Sequence, residues 1–371
     1  MASDECVLRQ ATAGMDGQRE PPRGSGSRRP AAPPAQAGIL ATIGSTPLVQ
    51  LTRYLDRRDL RLFAKLEAFN PGGSSQDRPA AAILEHGLAS GAIRLGTVVV
   101  ESISGKLGVG LAQACRYHGL RFVCVVDANA SPLDVRILQT YGAEVDRVTA
   151  PDPRSGEWLS ARMQRVQELQ RQNPDTFWPH QHAAAVDAEA RHRGTMAEVA
   201  ERLDGKLDFL FIDASACNTI RGCASYARDH RLAVRIVAVE AAGSVIFPAG
   251  EGQAGEGPIP GLGRGSQPPP CDPALVSRVV QVTDADCVRG CRRLMDREAI
   301  FAGGSSGGVL AAVEKLAGWV PPDAVCVAIL PDRGERYLDT VFDDAWVLAH
   351  LGDIAGEPGR AMAASWREAS E

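Results

Sequence analysis

From about Ile39 onward, short apolar runs alternate with amphipathic stretches. The runs "RLFAKLEA" (61–68), "TVVVESI" (97–103), "RFVCVVD" (121–127), "AEVDRV" (143–148), "LDFLFIDA" (207–214), "RIVAVEA" (235–241) and "AVCVAILP" (324–331) are rich in Val and Ile and bounded by turn residues. Such runs predict strands buried on both faces. Between them, apolar positions at helical spacing predict helices over 78–90, 107–118, 132–141, 155–172, 185–203, 219–230, 284–297 and 306–317. Strand and helix in alternation imply α/β layers with parallel sheets. The strands are too many for one mononucleotide-binding unit, so two α/β domains are expected. No fixed-period repeat is visible, which argues against a solenoid.

The ends read differently. Residues 1–38 are rich in Pro, Gly, Arg, Ser and Ala and form no apolar face, so a disordered tail is expected. A second tail is expected over 351–371. The Gly/Pro-rich stretch 248–270 reads as a surface loop, too long to be only a tight connection.

Composition narrows the function classes. The 371 residues carry a net charge of -5, and 44% are hydrophobic. A mild acidic balance gives no nucleic-acid footprint and no polybasic membrane patch. No apolar run is long enough to span a bilayer, and no signal peptide is visible at the N-terminus. The nine cysteines form no C-x-x-C pair, so a structural zinc site is not expected, and most of the thiols read as reduced in a cytoplasmic protein. Basic charge is mostly arginine; the lysines are Lys65, Lys106, Lys206 and Lys315.

Candidate chemistry sits in four loops that follow expected strands: "NPGGSSQDRPA" (70–80), "ESISGKLGVGLA" (101–112), "DASACNTIRG" (213–222) and "FAGGSSGG" (301–308). Each brings small residues and free backbone N–H groups to a helix start, where an anion is best held. One such loop is ordinarily a tight turn or a cap. Four at strand C-terminal ends point to a ligand crevice. None matches a dinucleotide fingerprint, a P-loop or a serine-hydrolase elbow.

At these loops the chain resembles the cysteine-synthase group of fold type II pyridoxal-phosphate enzymes, the tryptophan synthase β-like architecture. The matching segments are "GSTPLVQL" (44–51), "NPGGSSQDR" (70–78), "ESISGKLG" (101–108), "SACNT" (215–219) and "GGSSGG" (303–308). The resemblance covers about 39–350. "AGSVIF" (242–247), "FAGGSSGG" and "ILPDRGERYLDTVF" (329–342) look most like the branch that joins O-phosphoserine and glutamate on the route to 2,3-diaminopropionate, a building block of siderophores and peptide antibiotics. The resemblance implies two α/β domains with pyridoxal phosphate between them: a large one from 39–79 and 181–350, and a smaller mobile one from 80–180. It implies a homodimer, a small amino-acid substrate, and no metal. It places cofactor phosphate at Ser215, Ala216, Cys217, Asn218 and Thr219. Ser305 would meet the pyridine nitrogen, where a neutral hydroxyl suits β-elimination. Ser102, Ile103, Ser104 and Gly105 would hold the substrate carboxylate.

Three positions depart from the family pattern. The lysine that attaches the cofactor falls at Gln76, whose amide nitrogen has its lone pair delocalised and cannot form an imine. Asparagine is usual where Lys106 stands. "SACNT" has no glycine, although Asn218 can take the left-handed turn. Two explanations of Lys106 stay open. The attaching lysine has migrated there, or the site has decayed and Lys106 is a solvated or anion-binding side chain.

Bland readings stand beside the others. Ser305 is equally an N-cap. Asp77 and Arg78 read as a structural ion pair or cap rather than catalysts. Cys217 reads as a buried small residue more readily than as a nucleophile. His180 and His182 read as a loop pair rather than metal ligands. The functions in competition are a synthase using Lys106 or another amine, a pseudoenzyme that binds a partner enzyme or a metabolite, and a protein that holds the cofactor or another anion noncovalently.

Overall fold

The Val- and Ile-rich runs become the strands of two sheets. The computed structural model describes residues 36–103, 105–179, 192–214, 217–244, 246–247, 259, 262 and 272–354. The expected N-terminal tail up to residue 35, the C-terminal tail from 355 and most of the 248–270 loop lie outside those residues.

One sheet contains β1 (Leu48–Gln50), β2 (Arg61–Leu66), β7 (Phe209–Asp213), β8 (Arg235–Ala241), β9 (Arg278–Val282) and β10 (Val325–Leu330), in the order β1-β2-β10-β7-β8-β9. β1 runs antiparallel to β2, and every other pair is parallel. A second sheet, all parallel, contains β3 (Val98–Ser102), β4 (Arg121–Val126), β5 (Glu144–Arg147) and β6 (Thr176–Phe177), in the order β5-β4-β3-β6. β10 is fully buried, as a central parallel strand covered on both faces must be.

The helices are α1 (Asp77–Ala89), α2 (Lys106–His118), α3 (Pro132–Thr140), α4 (Trp158–Gln172), α5 (Ala197–Arg202), α6 (Asn218–Asp229), α7 (Asp284–Glu298), α8 (Gly304–Leu316) and α9 (Asp344–Leu351). Of the helix expected over 185–203, a π-helical turn over His192–Met196 leads into α5, and residues 180–191 lie outside the described set. α7 starts at a capping box, with Thr283 and Asp286 satisfying each other's backbone N–H. It packs on α8 so closely that a Cβ on Gly290 would lie 2.2 Å from the Gly307 carbonyl oxygen. Only glycine permits that approach, which buries nearly all of α8 in the core.

Ile259 and Leu262 correct the reading of 248–270 as surface. Both are buried in the core around α8, and the Ala241 N–H donates to the Leu262 carbonyl at 2.7 Å. Their apolar side chains gain more inside than a solvated loop would give them.

In the parallel sheet of β2, β10, β7 and β8, all four strands end on one edge. That edge carries residues 67–76, 331–337, 214 and 217–219, the usual position of a ligand crevice in open α/β sheets.

Candidate active site

The loop from β2 into α1 is tied down before it reaches Gln76. Asn70 donates to the Glu67 carbonyl at 2.9 Å and accepts from the Gly44 N–H at 2.8 Å. The Ser75 N–H donates to the Pro331 carbonyl at 2.8 Å, and Ser74 forms a backbone bridge with Asp332. Half-buried Gln76 is the N-cap of α1 and, in that position, makes no side-chain cap bond.

Beside it lies a buried charge network that accounts for Arg78. Its guanidinium donates to Glu67 at 2.7 and 2.9 Å and to Glu198 at 2.8 and 3.0 Å. Lys65 donates to Glu198 at 2.5 Å and to the Thr46 carbonyl at 2.6 Å. Burial opposes these charges, yet Arg78 and Lys65 hold Glu67 below the usual carboxylate range and Glu198 down to about 2. Lys65 is 1% exposed and fully committed, so it offers no amine to a ligand. Arg78 is thus a structural ion-pair residue, with Glu67 and Glu198 as its partners. Asp77, the first residue of α1, accepts from the Gly72 N–H in the preceding loop. Its Oδ1 is buried without a hydrogen-bond partner among the described residues, and burial raises the carboxyl to about 7.

Lys106 opens α2, after Gly105 at a positive φ of 109°. Its Nζ lies 2.8 Å from Asp332 Oδ2, on the strand end of the six-stranded sheet. Asp332 is fully buried and also accepts from the Tyr337 hydroxyl at 2.8 Å, while its Oδ1 has no partner among the described residues. A second ion pair joins the same two layers, from Arg336 to Asp134 on α3. Burial raises Asp134, with Arg336 and Lys106 pulling down and Asp332 pushing up. Asp332, Tyr337, Asp134 and Arg336 received no role from the sequence. The only signal was the segment 329–342, whose likeness to the family was visible without its contacts.

Ser305 stands behind Asp332. A Cβ on Gly303 would lie 2.3 Å from Asp332 Oδ1, and Ala302 bridges to Arg333. The N-cap of α8 is Gly303, which corrects the N-cap reading of Ser305. The Ser305 hydroxyl is fully buried and has no hydrogen-bond partner among the described residues. A buried orphan donor is costly unless a ligand atom meets it. Segments 74–76, 303–305 and 332–337 and Lys106 thus converge on Asp332.

The expected phosphate loop ends on the same sheet edge. Cys217 takes the left-handed conformation, at φ 57° and ψ -8°, and Asn218 is already the first residue of α6. The expectation had given that turn to Asn218. The turn comes one residue earlier because Asn218 carries helical backbone. Cys217 is buried, as expected of a small core residue, and it is disulfide-bonded. Ser215, Ala216 and Ser104 lie outside the described residues, as do His180 and His182. Ser102, at the end of β3, is buried with a hydroxyl that has no partner among the described residues, and Ile103 is buried beside it. The thiols of Cys115, Cys124, Cys291 and Cys326 are pushed up to about 12 by burial, which leaves them inert. Among the described residues no cluster has metal-ligating composition, and no helix is long and apolar enough to cross a membrane.

Comparison with known proteins gives this geometry a context. The family model "Pyridoxal-phosphate dependent enzyme" matches residues 39–332. N-(2-amino-2-carboxyethyl)-L-glutamate synthase of Ralstonia nicotianae is 43% identical over 327 residues, 88% of this chain and 95% of that protein. The crystal structure of O-ureido-L-serine synthase superposes with a TM-score of 0.77 at 30% identity, covering 85% of this chain and 99% of the other. A lysine-to-alanine mutant of that synthase, solved with O-ureido-L-serine bound, gives 0.75 at 29% identity over 85% and 98%.

The noncovalent part of the cofactor cradle fits this chain. The orphaned Ser305 hydroxyl suits a ring nitrogen, and the α6 N-terminus with Asn218 and Thr219 suits a phosphate. Pyridoxal phosphate, when bound, supplies an electron sink for bonds at an amino-acid α-carbon. The covalent part does not fit at residue 76, where no amine is present.

Proposed function

Because the chain belongs to the pyridoxal-phosphate-dependent enzyme family, we propose that it is a homologue of the β-replacement synthases that binds the cofactor and a small amino acid without attaching the cofactor through a lysine. The ligands of this reading are those implied by its branch, O-phosphoserine with glutamate as the second reactant, on the way to 2,3-diaminopropionate. The observation that carries it is the 2.8 Å ion pair between Lys106 and fully buried Asp332. An ammonium anchored on a buried carboxylate is not the free amine that an imine needs, and Lys65, Lys106, Lys206 and Lys315 are the only lysines.

In this reading each group has a bounded task. Ser305 orients the cofactor ring. Ser102 and the α2 N-terminus bind a carboxylate. The two layers on either side of the crevice are the large and small domains, and their approach excludes water. A homodimer belongs to the same reading, and sedimentation checks it.

The test is an absorbance spectrum with added pyridoxal phosphate, with and without O-phospho-L-serine, before and after borohydride, followed by peptide mass spectrometry. The expected result is cofactor retained with the amino acid and no pyridoxyl mass on any lysine peptide. Pyridoxyl mass on the Lys106 peptide would replace this reading with that of a synthase whose attaching lysine has moved.

A further inference from the structure

We propose that Asp332 is the residue that withholds Lys106 from imine chemistry: it holds the side chain as an ammonium, and a neutral residue at 332 would return a reactive amine to this site. The inference rests on the reading above, in which no lysine attaches the cofactor, and it names the positioning residue responsible.

The place of Lys106 in the chain does not by itself favour a cation. It is the first residue of a 13-residue helix with no acidic residue in the first turn. A cation there opposes the positive end of the helix dipole. Its side chain is 20% exposed, and burial works against the charged form of any amine. The other lysines differ: Lys65 is sealed in at 1% exposure against Glu198, Lys206 is exposed, and Lys315 pairs with Asp286 at the surface.

Asp332 reverses that balance. Its Oδ2 lies 2.8 Å from Lys106 Nζ, and among the described residues it is the one carboxylate in contact with that nitrogen. Asp134 of α3 also acts on Lys106 through space, but its contact is with Arg336, and Asp77 faces Arg336 and Arg333. Asp332 is itself fixed from three sides. Its backbone bridges to Ser74, and its carbonyl accepts from the Gly303 N–H at 3.1 Å. Its Oδ1 lies so near the start of α8 that a Cβ on Gly303 would be 2.3 Å away, and a helix start suits a carboxylate. The Tyr337 hydroxyl donates to Oδ2 at 2.8 Å, and burial and the Asp332 charge push that hydroxyl well above its ordinary range, so it stays a donor.

An ammonium has no lone pair with which to add to an aldehyde. Asn at 332 keeps the shape and an oxygen for Tyr337 but removes the charge. Nζ can then lose its proton to solvent and add to the aldehyde carbon; water leaves as C=N forms, and a hydride reagent traps the product. The competing account holds that burial alone shields Lys106. It predicts that a neutral residue at 332 changes stability and not the reactivity of Lys106.

Reductive methylation of the full chain with formaldehyde and cyanoborohydride, read at each lysine by peptide mass spectrometry, separates the two without any cofactor. In the wild type Lys106 is expected to methylate at least about tenfold more slowly than Lys206. In Asp332→Asn it is expected to methylate at least about tenfold faster than in the wild type, the change that loss of one charge-assisted hydrogen bond produces. Asp332→Ser, smaller and also neutral, is expected to do the same. Lys65 should stay slow throughout; an equal rise at Lys65 would mean local unfolding and would count against the proposal. Equal wild-type rates at Lys106 and Lys206, or an unchanged Lys106 rate in a folded variant, overturn the proposal and leave the reading above intact. Wild-type chain that gives pyridoxyl mass at Lys106 after pyridoxal phosphate and borohydride overturns both. Failure to retain the cofactor overturns the reading alone, because methylation does not depend on it.

Discussion

Removing the Arg78 guanidinium tests whether the charge network beneath the Gln76 loop holds that loop in place. In Arg78→Met, Glu67 loses two charge-assisted bonds, at 2.7 and 2.9 Å, while remaining fully buried. It keeps the Thr46 hydroxyl at 2.9 Å and Asn70 Nδ2 at 3.1 Å, which are neutral donors. Glu198 keeps Lys65. One buried carboxylate is thus left without its contacting cation, a change that costs roughly 3–5 kcal/mol. For a protein of this size that is a fall of roughly 4–8 °C in melting temperature. Thermal melts followed by far-UV circular dichroism measure it. At low pH Glu67 takes up a proton and the penalty shrinks, so the gap between variant and wild type should close on acidification. Glu67→Gln combined with Arg78→Met removes charge from both sides of the pair, and the double variant should melt above Arg78→Met. A fall below about 2 °C, or a double variant less stable than Arg78→Met, would refute the argument that Arg78 compensates Glu67.

Three further outcomes follow from the site. Gln76→Lys places an amine at the position that the family resemblance assigns to attachment; borohydride reduction and peptide mass spectrometry should then find pyridoxyl mass at residue 76, and its absence would show that the crevice no longer admits the cofactor aldehyde there. Asp77 is raised to about 7, first by burial, from an ordinary 3.8, so the folded chain keeps a proton that the unfolded chain has released; stability is full below about 4 and is lost as pH rises through about 7, by at most about 1.4 kcal/mol per unit. Glu198, lowered to about 2, loses its contribution only on acidification below its unfolded value of 4.5, so between pH 5 and 7 the Asp77 slope stands alone of the two, and Asp77→Asn should flatten it in urea titrations. Gly303→Ala sets a Cβ 2.3 Å from Asp332 Oδ1 and 2.5 Å from the Tyr337 ring, which should cost about 1–3 kcal/mol in the same titrations; a neutral result would mean that the Asp332 wall yields freely.

What could be read from the sequence was whatever local patterning decides. Val- and Ile-rich runs such as 235–241 became strands with nearly the expected bounds, because burial on both faces leaves a continuous apolar signature. β1 and β9 escaped notice because they are edge strands of three and five residues, and β9 mixes buried with half-exposed positions. α9 is eight residues long beside an expected tail, and its Asp343 cap was the only local cue. Contacts between distant residues were not legible. Lys106 and Asp332 are brought together only by the tertiary fold, and Arg78 finds Glu198 rather than its neighbour Asp77. Local rules also misplaced two residues: the left-handed turn fell on Cys217 instead of Asn218, and Gly303 took the cap position offered to Ser305.

Two of the three departures from the family pattern make sense together as a matter of charge. By the resemblance, the family has a lysine at the position of Gln76 and a neutral asparagine at that of Lys106. Here the neutral amide and the lysine have exchanged places, so the crevice carries the same number of lysines. Asp332, fully buried with one orphan oxygen, gives a physical reason for keeping the count. A carboxylate in that position without a nearby cation would be strongly unfavourable. Keeping the cation satisfies Asp332 but does not keep its chemistry. An amine at residue 76 would enter from the loop after β2, whereas Lys106 enters from the start of α2 and is already bound to an acid. A cation at Lys106 and a neutral amide at Gln76 therefore keep the charge balance around Asp332 without keeping an amine at residue 76.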